Sequence, residues 1–546
     1  MWKQPRSSWV LFLAVFTFFM ALLDIRPLSV PDEGRYGDVS RWMWMSHDYL
    51  VPRIDGVPFL HKPPLLHWLS VGLLQVFGQH IWVLRLVPTL AAMLILFVMF
   101  RFAKRYINAE VASLSVVILA TSLIFFGASQ YVNHDMLVAC WITLTIFNVA
   151  DFVLSGDKKA LFLGVIAAGL GFLSKGMIGI LIPGMVILPW LLYIKAWQKI
   201  SAILNPLGLM LLVAMVLPWP YLLNQAYPGF LHYFFIEQQF DRFSSSGFNN
   251  QQPWFFYVAC LLLSFLPWLI LVKFNIIGKT VRNQLDKSIF ALLVWWSISC
   301  LLFFSIPPSK LIGYILPMVT PLSLLLTIAV TQLENSAESF QKWQRYFAPV
   351  YLLLFALGIG YMSLIKPNSL VSAQDLPMAY MLSVLLGMAA IMLVFWQGRK
   401  FCAINPTLIA SILLCVMIPF CVKFFDKKSN ADQVSFASLL TPQTQVVFYD
   451  EYFYDLPWLL NLQHPAYVVK DWGKVKVDNS FMELKDGARF ESQASQYLID
   501  KANFDILLRS NKPLIVVTNK GENVSFMSST TQKLAYRNYD VYVVKP

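Results

Sequence analysis

Long apolar runs recur along most of the chain, and each is close to the roughly 20 residues needed to cross a bilayer. The pattern predicts spans near 8–28, 81–101, 110–127, 135–154, 160–174, 177–194, 203–223, 254–274, 288–306, 310–332, 346–365, 375–396 and 403–424, thirteen in all. Two connections are long, 29–80 and 224–253; the others are brief. Beyond residue 425 the long apolar runs stop. There, "TQVVFYD", "AYVVKD", "FDILLRSNKPLIVVTN" and "YDVYVVKP" hold short β-branched or aromatic runs bounded by turn residues, and 488–502 reads as an amphipathic helix. The chain thus divides into a polytopic α-helical membrane domain, 1–425, and a soluble α/β domain, 426–546.

Composition agrees with a membrane protein. Only 13% of residues are charged, against about 25% in soluble proteins. The cations set an orientation. With the N-terminus in the cytoplasm, Arg101, Lys104, Arg105, Lys158, Lys159, Lys195, Lys199, Lys273, Lys279, Arg282, Lys287, Arg399 and Lys400 all lie inside. An odd number of spans then puts the tail outside. Lys3 and Arg6 precede the first run and no small-residue cleavage site follows, so that run reads as an anchor. The net charge of +12 is explained by these loops, which argues against a nucleic-acid partner. All six cysteines lie in expected spans, so neither a disulfide framework nor a CxxC metal site is expected. No internal repeat or pair of broken helices suggests a transporter.

The candidate chemistry begins in "SVPDEGRYGDVSRWMWMSHDYLVPRIDGVPFLHKPPLLHW", Ser29 to Trp68. Asp32, Glu33, Arg35 and Tyr36 would open an amphipathic helix, with Asp32 and Tyr36 on one face. That helix would lie along the membrane surface with Trp42 and Trp44 near the headgroups. Two readings of Asp32 stand level: a functional carboxylate, or the close of a capping box with Ser29. In "FLHKPPLLHW", Pro63 and Pro64 fix an extended backbone and aim Lys62, a cation suited to an anionic lipid headgroup. Asp32, Glu33, Tyr36 and Lys62 are the catalytic candidates, with Arg35, Arg53 and His61 as substrate-binding candidates. Further polar groups sit at outward mouths: Asp135, Lys175, Arg242 in "EQQFDRF", and Lys310 with Tyr314 in "FFSIPPSKLIGYILP". Charges at membrane depth are costly, so their gathering on one side points to one outward cavity. A divalent metal across His61, His232 and Glu237 has no known ligand spacing behind it, and interfacial polar residues are the favoured reading.

With "PDEGRYGDVSR", "VPRIDGVPFLHKPPLLHW", "LRLVP", "LSKG", "LPWPY", "FDRF" and "FFSIPPSKLIGYILPMVTP", the chain resembles the GT-C family of lipid-linked-sugar glycosyltransferases over nearly its whole length. Within that family it is most similar to the bacterial aminoarabinose transferases that modify lipid A. It departs from them at His61, where they usually carry Glu, and at Pro64, where they lack a second proline. The resemblance implies a sugar moved from undecaprenyl phosphate to a lipid A phosphate or another periplasmic glycan. It puts Asp32 at the catalytic carboxylate position, Tyr36 beside the sugar, Lys62 and Arg242 on the donor phosphate, and Asp135, Lys175 and Tyr314 along the cavity. A phosphate acceptor is already anionic and attacks unaided, leaving Asp32 to orient the sugar; a hydroxyl acceptor would need Asp32 as base. The alternative activity is hexosyl or mannosyl transfer to a hydroxyl, and a flippase is a further alternative.

Overall fold

The computed structural model describes residues 8–241, 250–272, 285–331, 338–365, 375–396, 404–426, 429–430, 434–474, 481–510, 512–522 and 531–544. It is a multi-pass helical membrane protein with a small sheet domain in its tail. Among the described residues, eight helices are long and apolar enough to cross a membrane, from Ile81–Tyr106 to Asn405–Phe425. Helices Ser8–Met20, Ile178–Tyr193 and Phe256–Leu269 stand at further expected spans but are short. Lys158–Lys175 stands at another, and its lysines at both ends interrupt the apolar character.

The span expected at 110–127 is broken. Ala109–Ala120 and Leu123–Ser129 meet at 68°, with Thr121 and Ser122 between them. Backbone groups freed at a break inside a bilayer need protein partners. The Thr121 hydroxyl donates to Val117 O (2.8 Å) and that of Ser122 to Leu119 O (2.9 Å). Ile124 N donates to Ser264 Oγ (3.1 Å), and the Trp268 indole donates to the Thr121 hydroxyl (3.0 Å). One broken span is therefore present where none was expected, and protein groups occupy its bend.

The described residues fall into two compact units. The first comprises those within Met1–Arg26, Pro88–Met215 and Asn250–Phe425. Its helices begin on capping side chains: Asn108, Asn133, Asp157 and Asp286 each accept a backbone N–H of the first turn. Helices Glu338–Ile365, Leu376–Trp396 and Ile404–Phe425 share a core around Leu352, Ala379, Leu386 and Leu414.

The second unit comprises the described residues within Pro27–Val87, Val216–Asn249 and Asp426–Pro546. Its first helix, Asp32–Ser46, is polar in composition yet buried from Glu33 to Met43 except at Arg35. The expectation of a surface helix with Trp42 at the headgroups fails here. Trp42 is 9% exposed, its ring 5.2 Å from the Arg41 guanidinium. The capping box is also displaced by one residue. Ser29 N donates to Glu33 Oε2 (2.9 Å) and Glu33 N to Ser29 O (3.0 Å), so Glu33, not Asp32, closes it.

Strands β1 (Arg53–Ile54) and β2 (Val57–Pro58) form a hairpin through Asp55 and Gly56, both at positive φ (49° and 77°). Asp-Gly is favoured at such a turn. In the tail, β3 (Gln445–Tyr449), β4 (Tyr467–Val469), β5 (Leu498–Ile499), β6 (Leu514–Asn519), β7 (Thr531–Ala535) and β8 (Tyr539–Val544) make one sheet in the order β5-β4-β3-β6-β8-β7. The first four strands of that order run parallel and the last two antiparallel. Val447, Val469, Phe504, Leu514, Val516 and Tyr542 pack one face. The four expected strand regions are present. The helix expected at 488–502 is not one element: Met482–Phe490 is helical, Ser492–Tyr497 is a 3-10 turn, β5 follows, and Lys501–Leu508 is a separate helix. Paired as a strand at Leu498–Ile499, that stretch takes its hydrogen bonds from β4 and leaves the helix.

Candidate active site

In the second unit the Ser29–Trp68 stretch is held by acids from the tail. Asp32 opens its helix, and its carboxylate accepts from Arg35 one turn later. Arg35 also pairs with Glu483, and the Tyr454 hydroxyl donates to that same Glu483 (3.0 Å). The guanidinium lies 5.2 Å from the Tyr36 ring and 5.8 Å from the Tyr454 ring. Burial lowers the Arg35 pKa, but Glu483, Tyr36 and Asp32 outweigh it and raise it further above its ordinary value. Burial likewise raises the Glu483 carboxyl, and the charges of Arg35 and His61 overcome it and hold it below the usual range. A Cβ on Gly34 would stand 2.8 Å from the Tyr454 carbonyl carbon, so only glycine admits the tail this close.

The two acids of the signature differ sharply. The Asp32 side chain is 29% exposed, and that of Glu33 is wholly buried. Glu33 accepts from Arg85 at 3.1 and 2.9 Å as well as from Ser29 N, and Arg85 also donates to Pro27 O (2.7 Å). Glu33, expected as a catalytic group, is thus enclosed within an ion pair that fixes the helix start. Tyr36 is 8% exposed and meets Phe59 edge-on at 6.3 Å.

Lys62 is half-buried between His61 and the diproline. The extended backbone expected at Pro64 is not found: its φ and ψ of −87° and −4° are helical, and it opens the Leu65–Phe77 helix. Proline suits a helix start, where its missing N–H costs nothing. His61 Nε2 lies 3.4 Å from Asp486 Oδ2, and its ring stacks on Phe59 at 5.3 Å. The Tyr233 hydroxyl donates to the same Asp486 oxygen (2.9 Å). Arg53 grips Glu491 with both guanidinium nitrogens (3.0 and 2.9 Å) and reaches the Tyr227 hydroxyl (3.3 Å). Beneath them Asp38 accepts from Arg41 (2.7 Å) and from Asp55 N (2.8 Å), and Asp55 accepts from Ala466 N (3.0 Å). Burial pushes the Asp38 and Asp55 carboxyls up, Asp55 further because Asp38 is beside it.

Glu483, Asp486 and Glu491 were not anticipated from the sequence. Their signal was the two-faced "ELKDGARFE", in which Glu483 and Asp486 share a helix face.

In the first unit Asp135 pairs with Lys175, and the Lys175 ammonium sits 4.1 Å from the Tyr314 ring centre. Asn133 caps the Asp135 helix and donates to Asp135 Oδ2 (3.0 Å). Gly313 lies directly against that carboxylate, where a Cβ would collide with it. Gly313→Ala is expected to push Asp135 off Lys175 and lower stability by about 1–3 kcal/mol, as read by thermal unfolding of the full chain. Lys310 is 4% exposed and donates to Gln252 O (3.1 Å). Arg242 lies outside the described residues.

Residues 61–222 match the dolichyl-phosphate-mannose-protein mannosyltransferase family. The undecaprenyl phosphate-alpha-4-amino-4-deoxy-L-arabinose arabinosyl transferase of Enterobacter sp. (strain 638) is 30% identical over 346 residues, 61% of this chain and 60% of that one. Its counterpart in Pseudomonas paraeruginosa is 27% identical over 421 residues, 76% of each. The crystal structure of Cupriavidus metallidurans ArnT bound to undecaprenyl phosphate superposes with a TM-score of 0.82 at 24% identity, covering 99% of this chain and 98% of that one.

The chain has the fold of that ArnT structure.

His61 meets the tail carboxylate of Asp486. His232, largely exposed, stands 3.7 Å from the partly buried Glu237, and Arg489 lies 3.5 Å from Glu237. Among the described residues no three His, Cys, Asp or Glu side chains are grouped to hold a metal. His61, His232 and Glu237 are not grouped as a set of metal donors.

Proposed function

We propose that the protein is a glycosyltransferase that moves a sugar from an undecaprenyl-phosphate-linked donor to a lipid A phosphate at the periplasmic face of a bacterial inner membrane. The observation that carries this reading is the partly exposed Asp32 carboxylate, set by Arg35 and Glu483 in the same unit as Lys62, within an ArnT-like fold. The relatives named above are called arabinosyl transferases of an aminoarabinose donor, which favours 4-amino-4-deoxy-L-arabinose as the sugar.

Breaking a sugar–phosphate bond leaves charge on the departing lipid phosphate, and a fixed cation that meets it lowers the barrier. Lys62 takes that role, with Arg242 as a second cation. Asp32 faces the sugar and stabilises its developing positive charge, while Tyr36 backs it. A phosphomonoester acceptor is already anionic near neutral pH, its second pKa being about 6, so it attacks without a base. Asp135, Lys175, Lys310 and Tyr314 are assigned to substrate binding, as are Arg35, Arg53 and His61.

One observation favours a second reading. The family matched over 61–222 is named for protein mannosylation, and His61 departs from the aminoarabinose pattern. In that case the acceptor is a hydroxyl and Asp32 is its base. Mass spectrometry of lipid A and of surface glycans, with the protein present and absent, separates the two. A mass gain on lipid A equal to one aminoarabinose is expected; a gain confined to another glycan or a protein overturns the lipid A assignment. Orientation is tested separately. A reporter active only in the cytoplasm, fused after Pro546, should be silent, and strong signal would reverse the topology.

A further inference from the structure

Within the first unit a cavity of about 270 Å³ opens among helices Ile81–Tyr106, His134–Ser155 and Lys158–Lys175. Its body is apolar, built by Leu94, Phe97, Leu163 and Ile166. Phe97 is 41% and Leu163 46% exposed on membrane helices, so the body opens sideways toward acyl chains. Its head is charged. Arg101 (3.4 Å) and Arg105 (2.7 Å) both reach Asp151, which also accepts from Tyr106. Two guanidiniums on one carboxylate leave one positive charge over. Both arginine side chains are nearly half exposed, whereas Asp151 is 8% exposed.

The dimensions match one leaflet. From Leu94 to Arg105 the helix rises roughly 16 Å, about half of the roughly 30 Å hydrocarbon core. An acyl chain lying along the apolar wall would bring its phosphate level with the arginines. Basic pockets between membrane helices suit anionic headgroups, whose phosphate takes charge-assisted bonds from guanidinium. Snorkelling alone would explain two exposed arginines. It would not explain an apolar, laterally open space beneath them.

We propose that this cavity binds one anionic glycerophospholipid, its phosphate on Arg101 and Arg105 and an acyl chain along Leu94, Phe97 and Leu163. The site is separate from the transfer chemistry and does not depend on the identity of the sugar.

The test uses the full chain in nanodiscs of equal phosphatidylglycerol and phosphatidylcholine with a trace of undecaprenyl phosphate. Native mass spectrometry then counts the lipids retained. One phosphatidylglycerol is expected to stay bound, about fivefold less with Arg101→Gln or Arg105→Gln and roughly thirtyfold less with both. Leu163→Trp fills the body without altering charge and should also lower retention. Lys158→Gln with Lys159→Gln should leave it nearly unchanged. If that lysine pair matters as much as the arginines, the attraction is general and the site is refuted. Equal retention of phosphatidylcholine, or undecaprenyl phosphate in its place, overturns the proposal as well.

Discussion

Lys62→Ala is expected to lower sugar transfer by about a hundredfold or more, the cost of removing one preorganised charge that meets a departing anion. The residue is half-buried on a turn, outside the packed core, and its backbone is fixed by the following prolines. Folding should therefore hardly change, within about 0.5 kcal/mol as for substitutions away from core features. Lys62→Arg should restore only part of the activity, because a broad planar guanidinium cannot replace a compact ammonium point for point. The measurement is single-turnover transfer from labelled donor lipid, beside thermal unfolding of each variant. Near-normal turnover in Lys62→Ala, with donor still bound, would sink the phosphate role.

Arg85→Ala should act on folding, with lost activity as its consequence. Glu33 and Arg85 are almost completely buried and joined at 2.9 Å. Removing the cation leaves a buried carboxylate without its ion-pair partner, a loss of about 3–5 kcal/mol. Replacing both partners, Glu33→Gln with Arg85→Met, should recover much of that loss, because no charge then remains stranded. Denaturant unfolding of the full chain reads both. A double variant as unstable as the single one would show that the packing of Arg85, not the ion pair, carries the stability.

The membrane architecture was legible because each span writes itself as one continuous apolar run. The tail strands were legible for the same reason, since Val446–Phe448 and Ile515–Val517 are continuous buried runs. What stayed hidden was pairing across distance. Arg53 could be read as one more charge in a polar loop, but its partner Glu491 lies 438 residues away. The same ignorance misled the reading of Trp42: without the tail, an amphipathic stretch after a membrane span has only the lipid surface to face. Glu33 and Asp32 are neighbours of one chemical kind, and only the position of Arg85 separates the enclosed acid from the open one. Thr121–Ser122 looked like two small polar residues in a span, because hydroxyls that fold back onto a helix leave no periodic mark.

The pairing of Arg35 with Glu483 also sets an order of events during biosynthesis. The two are 448 residues apart, and at about 5–20 residues per second the ribosome needs roughly 20–90 s to make the second after the first. For that interval Asp32, Arg35, Arg53 and His61 exist without the tail acids that later hold them. A nascent chain is therefore incomplete at its chemical centre until nearly its last segment has been made. A chain cut short before Glu483 keeps every membrane helix described here and still cannot build the site.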